Sequence, residues 1–225
     1  GITIQQMVEE YNVDSLRYYM IACGPENKDV DFTVENYINV HNSDMVNKFG
    51  NFVNRTLKFK GLESIPVGTM NSDIKNILER TYENISYYME KMEFREVTNT
   101  IINVLDRVNK YYDESMPWIL YKEDINKFND VIYTCSVVCA NLANYIEFVM
   151  PTTAIKIRNY LNIKEASWNF VTVEEGTELY IEKINEEVGK TVTFDEVLYV
   201  DGTVGAPYVK GVSVKAEVLK QGKKK

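Results

Sequence analysis

The most informative part of this sequence is Asn42-Ser43-Asp44-Met45-Val46-Asn47-Lys48-Phe49-Gly50-Asn51-Phe52-Val53-Asn54-Arg55. At about 100° of rotation per residue, it predicts one helix with two contrasting faces. The apolar face carries Val46, Phe49, Val53 and Leu57, flanked by Met45, Phe52 and Phe59. The polar face carries Asn47, Asn51, Asn54, Arg55 and Lys58. Because Asn is a poor helix former, its repeated use beside an Arg indicates a surface that recognises hydrogen-bonding patterns.

Helical periodicity continues on both sides of that stretch, through residues 1 to about 166. Thr33 is the expected N-cap of the helix that contains the stretch and ends near Phe59, and Ser72 is the expected N-cap of the next helix. Further helices are predicted over residues 4–22, 94–112 and 125–150, and from Pro151, since proline suits a first helical turn. Short connections between such helices predict an up-and-down helical bundle.

The periodicity changes near Trp168. From Val171 onward, apolar and polar residues alternate, with glycines between the alternating runs, which is typical of β-strands and turns. The runs cover residues 177–184, 191–200 and 212–219. The predicted fold class is therefore α+β in separate domains, with an all-α bundle over residues 1–168 and a small antiparallel β-barrel-like domain over residues 169–225.

Composition restricts the chemistry of the chain. A net charge of −8 argues against binding of duplex nucleic acid through phosphate contacts alone, but it permits recognition of a few unpaired bases. The three cysteines, which include Cys135 and Cys139, are interpreted as small core residues in a reducing compartment, and no metal site is predicted. His41 is the only histidine, so histidine-dependent catalysis is not expected. With neither a signal pattern nor a long apolar run, we expect a cytoplasmic protein.

Three side chains are candidates for contacts with unpaired bases. Asn51 and Arg55 are one helical turn apart, and both types of side chain can pair with a base edge through two hydrogen bonds. Trp118 follows Pro117 at a corner of the predicted bundle, where a partly exposed indole would stack on a flipped-out base. Each has an ordinary alternative: a local hydrogen bond for Asn51, a surface ion pair for Arg55 and a core position for Trp118.

Taken together, these residues resemble the anticodon-binding helical domain of the methionyl-tRNA synthetase family. The matching segments are spread over residues 1–168 in the family's order and spacing; they are 13–19, 29–33, Asn42, 50–55, Pro117-Trp118, Met150-Pro151 and Ser167-Trp168. In that family, the Asn and Arg of this helix and the Trp after the Pro read the CAU anticodon. The resemblance therefore implies that Asn51, Arg55 and Trp118 bind the anticodon loop of a methionine tRNA. Three neighbours are second choices for RNA contacts, namely Asn47, Asn54 and Lys58.

The resemblance also implies a catalytic domain that this sequence does not contain. The family's nucleotide-binding domain carries a HIGH-like motif and a KMSKS loop, and neither is present here, while residues 1–4 resemble those that follow the KMSKS loop. ATP and methionine would bind that other domain, so no cofactor is expected in this chain. The chain is expected to be part of a class I methionine–tRNA ligase, to begin within a longer protein, and not to be catalytic alone.

Residues 171–222 resemble a different family, the bacterial large-subunit ribosomal protein L21. The matching segments are 173–183, 188–198, 204–209 and the alternating strand up to Gly222. That family is a small β-barrel that binds ribosomal RNA. The family's opening strand is absent here, the loop around Asp201 is shortened and the basic tail stops at Lys225. Because much of the RNA-contacting surface is missing, we assign no site residues in this half.

The two resemblances leave several readings open. The predicted function is a tRNA recognition module that reads the CAU anticodon by stacking and by hydrogen bonds to base edges. The alternatives are a structural component that binds ribosomal RNA and a hybrid without activity of its own. The combination itself would be engineered, an artefact of two joined reading frames, or a natural synthetase with an appended barrel.

Overall fold

The computed structural model describes residues 3–26, 29–179, 190–194, 199–200, 203–204 and 214–217. The chain divides into two compact units. The larger unit comprises residues 14–180, and the smaller one comprises residues 1–13 and 181–225.

Helices account for most of the described residues. Their bounds, in chain order, are α1 (Ile4–Glu10), α2 (Val13–Cys23), α3 (Val34–Val40), a π-helix (His41–Gly50), α4 (Asn51–Leu57), α5 (Ser72–Glu90), α6 (Phe94–Ser115), α7 (Pro117–Glu123), α8 (Ile125–Ile146) and α9 (Pro151–Tyr160). None of the described helices is long and apolar enough to cross a membrane.

Helix α8 is the centre of the larger unit. Every residue from Val131 to Ile146 except Tyr133 is buried, as expected for a helix that is apolar around most of its circumference. The helices that pack against it are α4, α5, α6, α7 and α9. The side chains that face α8 form one continuous hydrophobic core.

Buried asparagines on α8 hold the chain that follows α9. The Asn141 side chain pairs with both backbone groups of Val171: its Nδ2 donates to the carbonyl at 2.8 Å, and its Oδ1 accepts from the amide at 3.0 Å. Tyr82 on α5 donates its hydroxyl to Asn141 Oδ1 at 2.8 Å. Because these buried polar groups are hydrogen-bonded to one another, the bonds offset the cost of burying them and fix the position of this segment on the bundle.

Helix α2 fixes the junction between α8 and α9. Asp14 Oδ2 accepts from the backbone amide and the hydroxyl of Thr153, at 2.6 and 2.7 Å, in the first turn of α9. Arg17 donates to the carbonyls of Val149 and Phe148, at 2.9 and 2.7 Å, just beyond the end of α8. A carboxylate at a helix N-terminus and a guanidinium at a helix C-terminus both match the helix dipole.

The segment predicted as one long helix from Thr33 to Phe59 has a different geometry. Thr33 caps α3 as predicted, but residues 41–50 are π-helical, with more residues in each turn than in an α-helix. Phe49, Phe52 and Leu57 are buried, whereas Val46 is 45% exposed. The apolar face predicted at α-helical spacing was therefore wrong at Val46, because the π-helix changes the phase of the side chains.

The predicted fold class was wrong in its second half. The strands in the described residues form two separate two-stranded antiparallel pairs, and no barrel is present among them. β1 (Thr191–Phe194) pairs with β4 (Val214–Glu217), and β2 (Tyr199–Val200) pairs with β3 (Thr203–Val204). The start of the first predicted strand instead joins the helical unit, through a bridge between Ser64 and Glu178. Alternation determines which side of a strand each residue faces, but not which strand is its partner.

Candidate nucleic-acid interface

A stripe of polar side chains runs along the π-helix and α4. Asn47, Asn51, Asn54 and Lys58 are all exposed. The spacing of Asn51, Asn54 and Lys58, by three and four residues, places them along one side of α4, and Asn47 lies in the preceding π-helix. The structure therefore leaves these four predicted side chains accessible to a ligand.

Gly50 permits the change from the π-helix to α4. A Cβ atom at this position would lie 2.9 Å from the carbonyl oxygen of Met45, five residues earlier. Atoms rarely approach so closely, so a larger residue would require the turn to shift. Gly50 therefore lies at a close backbone contact where the π-helix meets α4, one residue before Asn51.

Arg55 is held on α6 by hydrogen bonds. Its Nη1 donates to Asp113 Oδ1 at 2.6 Å, and its Nη2 donates to Asn109 Oδ1 at 2.8 Å and to the Asn109 carbonyl at 3.2 Å. The side chain is 22% exposed, whereas that of Asp113 is 60% exposed. The guanidinium is therefore positioned at the surface, with a carboxylate as its present partner.

Tyr112 lies between Arg55 and Trp118. The Arg55 Cζ atom is 4.1 Å from the centre of the Tyr112 ring, and the Tyr112 hydroxyl donates to the Arg55 carbonyl at 2.9 Å. The Tyr112 and Trp118 ring centres are 6.4 Å apart with an interplanar angle of 40°. Burial raises the pKa of Tyr112 to about 12, so its hydroxyl stays a neutral donor at physiological pH.

Trp118 is half-exposed on the first turn of α7. Pro117 opens that helix, and the preceding Met116 has a left-handed backbone with φ of 47°. The indole is 48% exposed, as a stacking surface requires, so it is not a core residue. Arg55 and Trp118, which are distant in the sequence, thus meet at one tyrosine, and Asn51 lies one turn before Arg55.

Sequence reasoning missed the contribution of α6. Asp106, Asn109 and Asp113 lie on one side of this helix at helical spacing and contact the π-helix and α4. Lys48 and Asp106 form an ion pair at 2.8 Å. A second ion pair, between Arg55 and Asp113, also joins this side of α6 to the candidate interface. The only signal in the sequence was the polar spacing itself, which is equally typical of a solvated helix face.

The described residues contain no cluster of three or more His, Cys, Asp or Glu that could hold a metal ion. Cys135 and Cys139 are buried in the core, where burial raises the pKa of both thiols. His41 Nδ1 lies 2.7 Å from Ser15 Oγ, and burial lowers the pKa of this imidazole. His41 is therefore hydrogen-bonded within the larger unit, residues 14–180, and the two cysteines belong to the hydrophobic core of that unit.

Two family models match opposite ends of the chain. The model described as tRNA synthetases class I (M) matches residues 1–57, which include Asn51 and Arg55. The model described as Ribosomal prokaryotic L21 protein matches residues 163–225.

Curated relatives cover most of the chain. Methionine–tRNA ligase 1 of Alkaliphilus oremlandii is 34% identical over 182 residues, which is 80% of this chain and 34% of that protein. A methionine–tRNA ligase of Bacillus cereus is 36% identical over 171 residues, which is 75% of this chain and 31% of that protein. The homologues of this chain are methionyl-tRNA synthetases. The chain spans about a third of the length of the curated relatives it matches.

Solved structures give the same result. The free-state methionyl-tRNA synthetase of Mycobacterium tuberculosis superposes with a TM-score of 0.73 at 25% identity, over 81% of this chain and 40% of that one. The same synthetase bound by methionyl-adenylate superposes with a TM-score of 0.70 at 25% identity, over 77% of this chain and 37% of that one. The resemblance to methionyl-tRNA synthetases, and that of the C-terminal part to the ribosomal family, are thereby confirmed.

Proposed function

We propose that the helical unit recognises the anticodon loop of a methionine tRNA and reads its CAU triplet. In this proposal Trp118 stacks on an unpaired base, while Asn51 and Arg55 hydrogen-bond to base edges. The single observation that carries the proposal is the convergence of Arg55 and the half-exposed Trp118 on Tyr112. Asn47, Asn54 and Lys58 would position the loop through further polar contacts.

The ion pair of Arg55 fits this role. To contact a base, the guanidinium must exchange the Asp113 carboxylate for the hydrogen-bond acceptors of the base edge. Asp113 is mostly exposed, and exposed ion pairs are worth only about 0–1 kcal/mol. A two-bond contact to a base would discriminate against a wrong base by about 1–3 kcal/mol, which is the selectivity that Arg55 would contribute.

The activity of the whole synthetase is part of the proposal. Because the chain spans about a third of its relatives, we propose that it serves as the tRNA-binding part of a class I methionine–tRNA ligase. ATP and methionine would bind another part of such an enzyme.

Replacing Trp118 tests the proposal directly. We expect Trp118→Ala to weaken binding of a CAU stem-loop by about fivefold or more, the equivalent of one lost stacking contact of about 1–3 kcal/mol. Because the indole is half-exposed, the thermal midpoint should change little. Fluorescence anisotropy with a labelled stem-loop measures the first quantity, and a thermal melt measures the second.

The matched control is Trp168→Ala. Trp168 is also half-exposed, but its Nε1 donates to Ser86 at 2.9 Å and its ring packs on Tyr82, away from Arg55. This variant should lower stability and leave RNA binding unchanged. A Trp118→Ala protein that melts early, yet binds the stem-loop normally when folded, would contradict the proposal.

A second candidate function rests on the match of residues 163–225 to the ribosomal family. In that case the chain would bind ribosomal RNA through its C-terminal part. Co-sedimentation with large ribosomal subunits that is insensitive to Asn51→Ala and Arg55→Ala would favour this function over anticodon recognition.

A further inference from the structure

We infer that Tyr112 is a positioning residue for RNA recognition, which orients Arg55 and Trp118 together without contacting RNA itself. This inference rests on the proposed function and adds a residue to it. Tyr112 is buried, so its effect on RNA must act through the two more accessible side chains that it contacts, Arg55 and Trp118.

The first step in the argument is the contact with Arg55. The Tyr112 ring lies beneath the guanidinium, with 4.1 Å between the ring centre and Cζ, at cation–π distance. The Tyr112 hydroxyl also donates a hydrogen bond to the backbone carbonyl of Arg55 at 2.9 Å. One side chain therefore fixes both the backbone of α4 and the plane of the Arg55 fork.

The second step is the contact with Trp118. The two ring centres are 6.4 Å apart, within the range of favourable aromatic pairs. On another side, the Tyr112 ring packs against the fully buried Phe52, with 6.3 Å between ring centres and an interplanar angle of 75°. Since Phe52 belongs to the core, the Tyr112 ring is a rigid support for the exposed indole.

The third step is the hydrogen bonding around the Arg55 fork. Asn109 Oδ1 and Asp113 Oδ1 accept from its two terminal nitrogens, and both residues lie on α6 beside Tyr112. These polar contacts hold the edge of the fork, whereas the Tyr112 ring holds its face. An RNA base that displaces Asp113 would still find the guanidinium plane held in place by the ring.

Two substitutions separate the contributions of Tyr112. Tyr112→Phe keeps the ring and removes only the hydroxyl donor to Arg55, whereas Tyr112→Leu removes the ring. We expect Tyr112→Leu to weaken CAU stem-loop binding about tenfold, and Tyr112→Phe to weaken it by less than about threefold. Combined with Arg55→Ala, Tyr112→Leu should add less than its effect alone, because only the part that acts through Trp118 remains.

Tyr82→Leu is the matched control. Tyr82 is a buried tyrosine of the same unit; it packs against the other tryptophan, Trp168, and donates to Asn141. The Tyr82→Leu variant should have a lower thermal midpoint, as we also expect for Tyr112→Leu. Its stem-loop affinity, measured well below the melting transition, should equal that of the parent protein.

A second readout does not involve RNA. In a Trp168→Phe background, Trp118 is the only tryptophan of the chain, so its fluorescence reports its own surroundings. Tyr112→Leu should increase the acrylamide quenching constant of Trp118 by about half or more, because the indole loses its support. Tyr82→Leu in the same background should leave that constant unchanged.

The outcomes separate the two proposals. If the parent protein binds a CAU stem-loop no better than a one-base variant, anticodon recognition fails and the inference falls with it. If the parent discriminates but Tyr112→Leu binds equally well, or Trp118 quenching is unchanged, the positioning role alone is overturned. Equal loss of binding in Tyr112→Leu and Tyr82→Leu would also overturn it, since the effect would then be general destabilisation.

Discussion

Among single residues, Arg55 is the side chain whose hydrogen-bonding partners matter most for the proposed RNA binding. Both of its terminal nitrogens are hydrogen-bonded to α6, through Asp113 and Asn109, while its buried Nε has no hydrogen-bond partner. These hydrogen bonds position the guanidinium, but Asp113 and Asn109 also compete with RNA acceptors for its N–H groups. A negatively charged carboxylate beside the site also repels phosphate groups.

Asp113→Asn should therefore increase affinity for the CAU stem-loop by a few-fold at low salt, since removing one exposed ion pair changes energies by about 1 kcal/mol or less. The gain should shrink as salt is added, because screening weakens the repulsion between carboxylate and phosphate. Binding titrations at two salt concentrations measure both effects.

Asp106→Asn is the control for that prediction. It removes the same charge from α6, but its ion-pair partner is Lys48 instead of Arg55. The two variants should share the salt-dependent part of the gain, and only Asp113→Asn should change discrimination against a one-base variant. Identical behaviour of both variants would show that general charge, and not the release of Arg55, controls affinity.

At the scale of elements, the π-helix at residues 41–50 determines where the polar stripe points. π-helical turns are rare and often occur at functional sites. Here the π-helix buries Phe49 while its Val46 is 45% exposed, and Phe52 is buried in the first turn of α4. We interpret the π-helix as the element that sets the phase of α4, which carries Asn51 and Arg55.

Gly50→Ala tests this interpretation. The added methyl group would meet the Met45 carbonyl at 2.9 Å, so the turn must shift or remain strained. We expect a loss of about 1–3 kcal/mol of unfolding free energy, typical of overpacking, together with weaker stem-loop binding. Urea unfolding and anisotropy titrations give the two quantities.

Val46→Ala serves as the control in the same segment. Val46 is 45% exposed, so its truncation should change stability by less than about 0.5 kcal/mol and leave binding unchanged. If Gly50→Ala proved as harmless as Val46→Ala, the glycine would not be needed for the π-helix.

At the scale of the whole molecule, periodicity in the sequence predicted most helices but not their partners. Thr33 caps α3 and Pro151 opens α9, as their capping chemistry predicts, because these signals are local. The predicted cap at Ser72 was wrong by one residue: the Asn71 side chain accepts from Asp73 and Ile74. The predicted helix over residues 4–22 is divided into α1 and α2.

The features that could not be predicted from the sequence share one physical cause. Repeating patterns assign residues to faces, whereas tertiary contacts decide phase, pairing and partners. The π-helix, the pairing of Glu178 with Ser64 and the hydrogen bonds of Arg55 to α6 all depend on residues far away in the chain. For the candidate site, the polar stripe could be predicted from spacing, but the role of Tyr112 required coordinates.

Anticodon recognition is tested by the ratio of affinities of the full chain for a CAU stem-loop and for a variant with one anticodon base changed. Both titrations are made at the same salt concentration, because phosphate contacts shift both affinities together. We predict at least about fivefold tighter binding of CAU, since one lost base contact is worth about 1–3 kcal/mol. Equal affinities for the two stem-loops would contradict anticodon recognition by this chain.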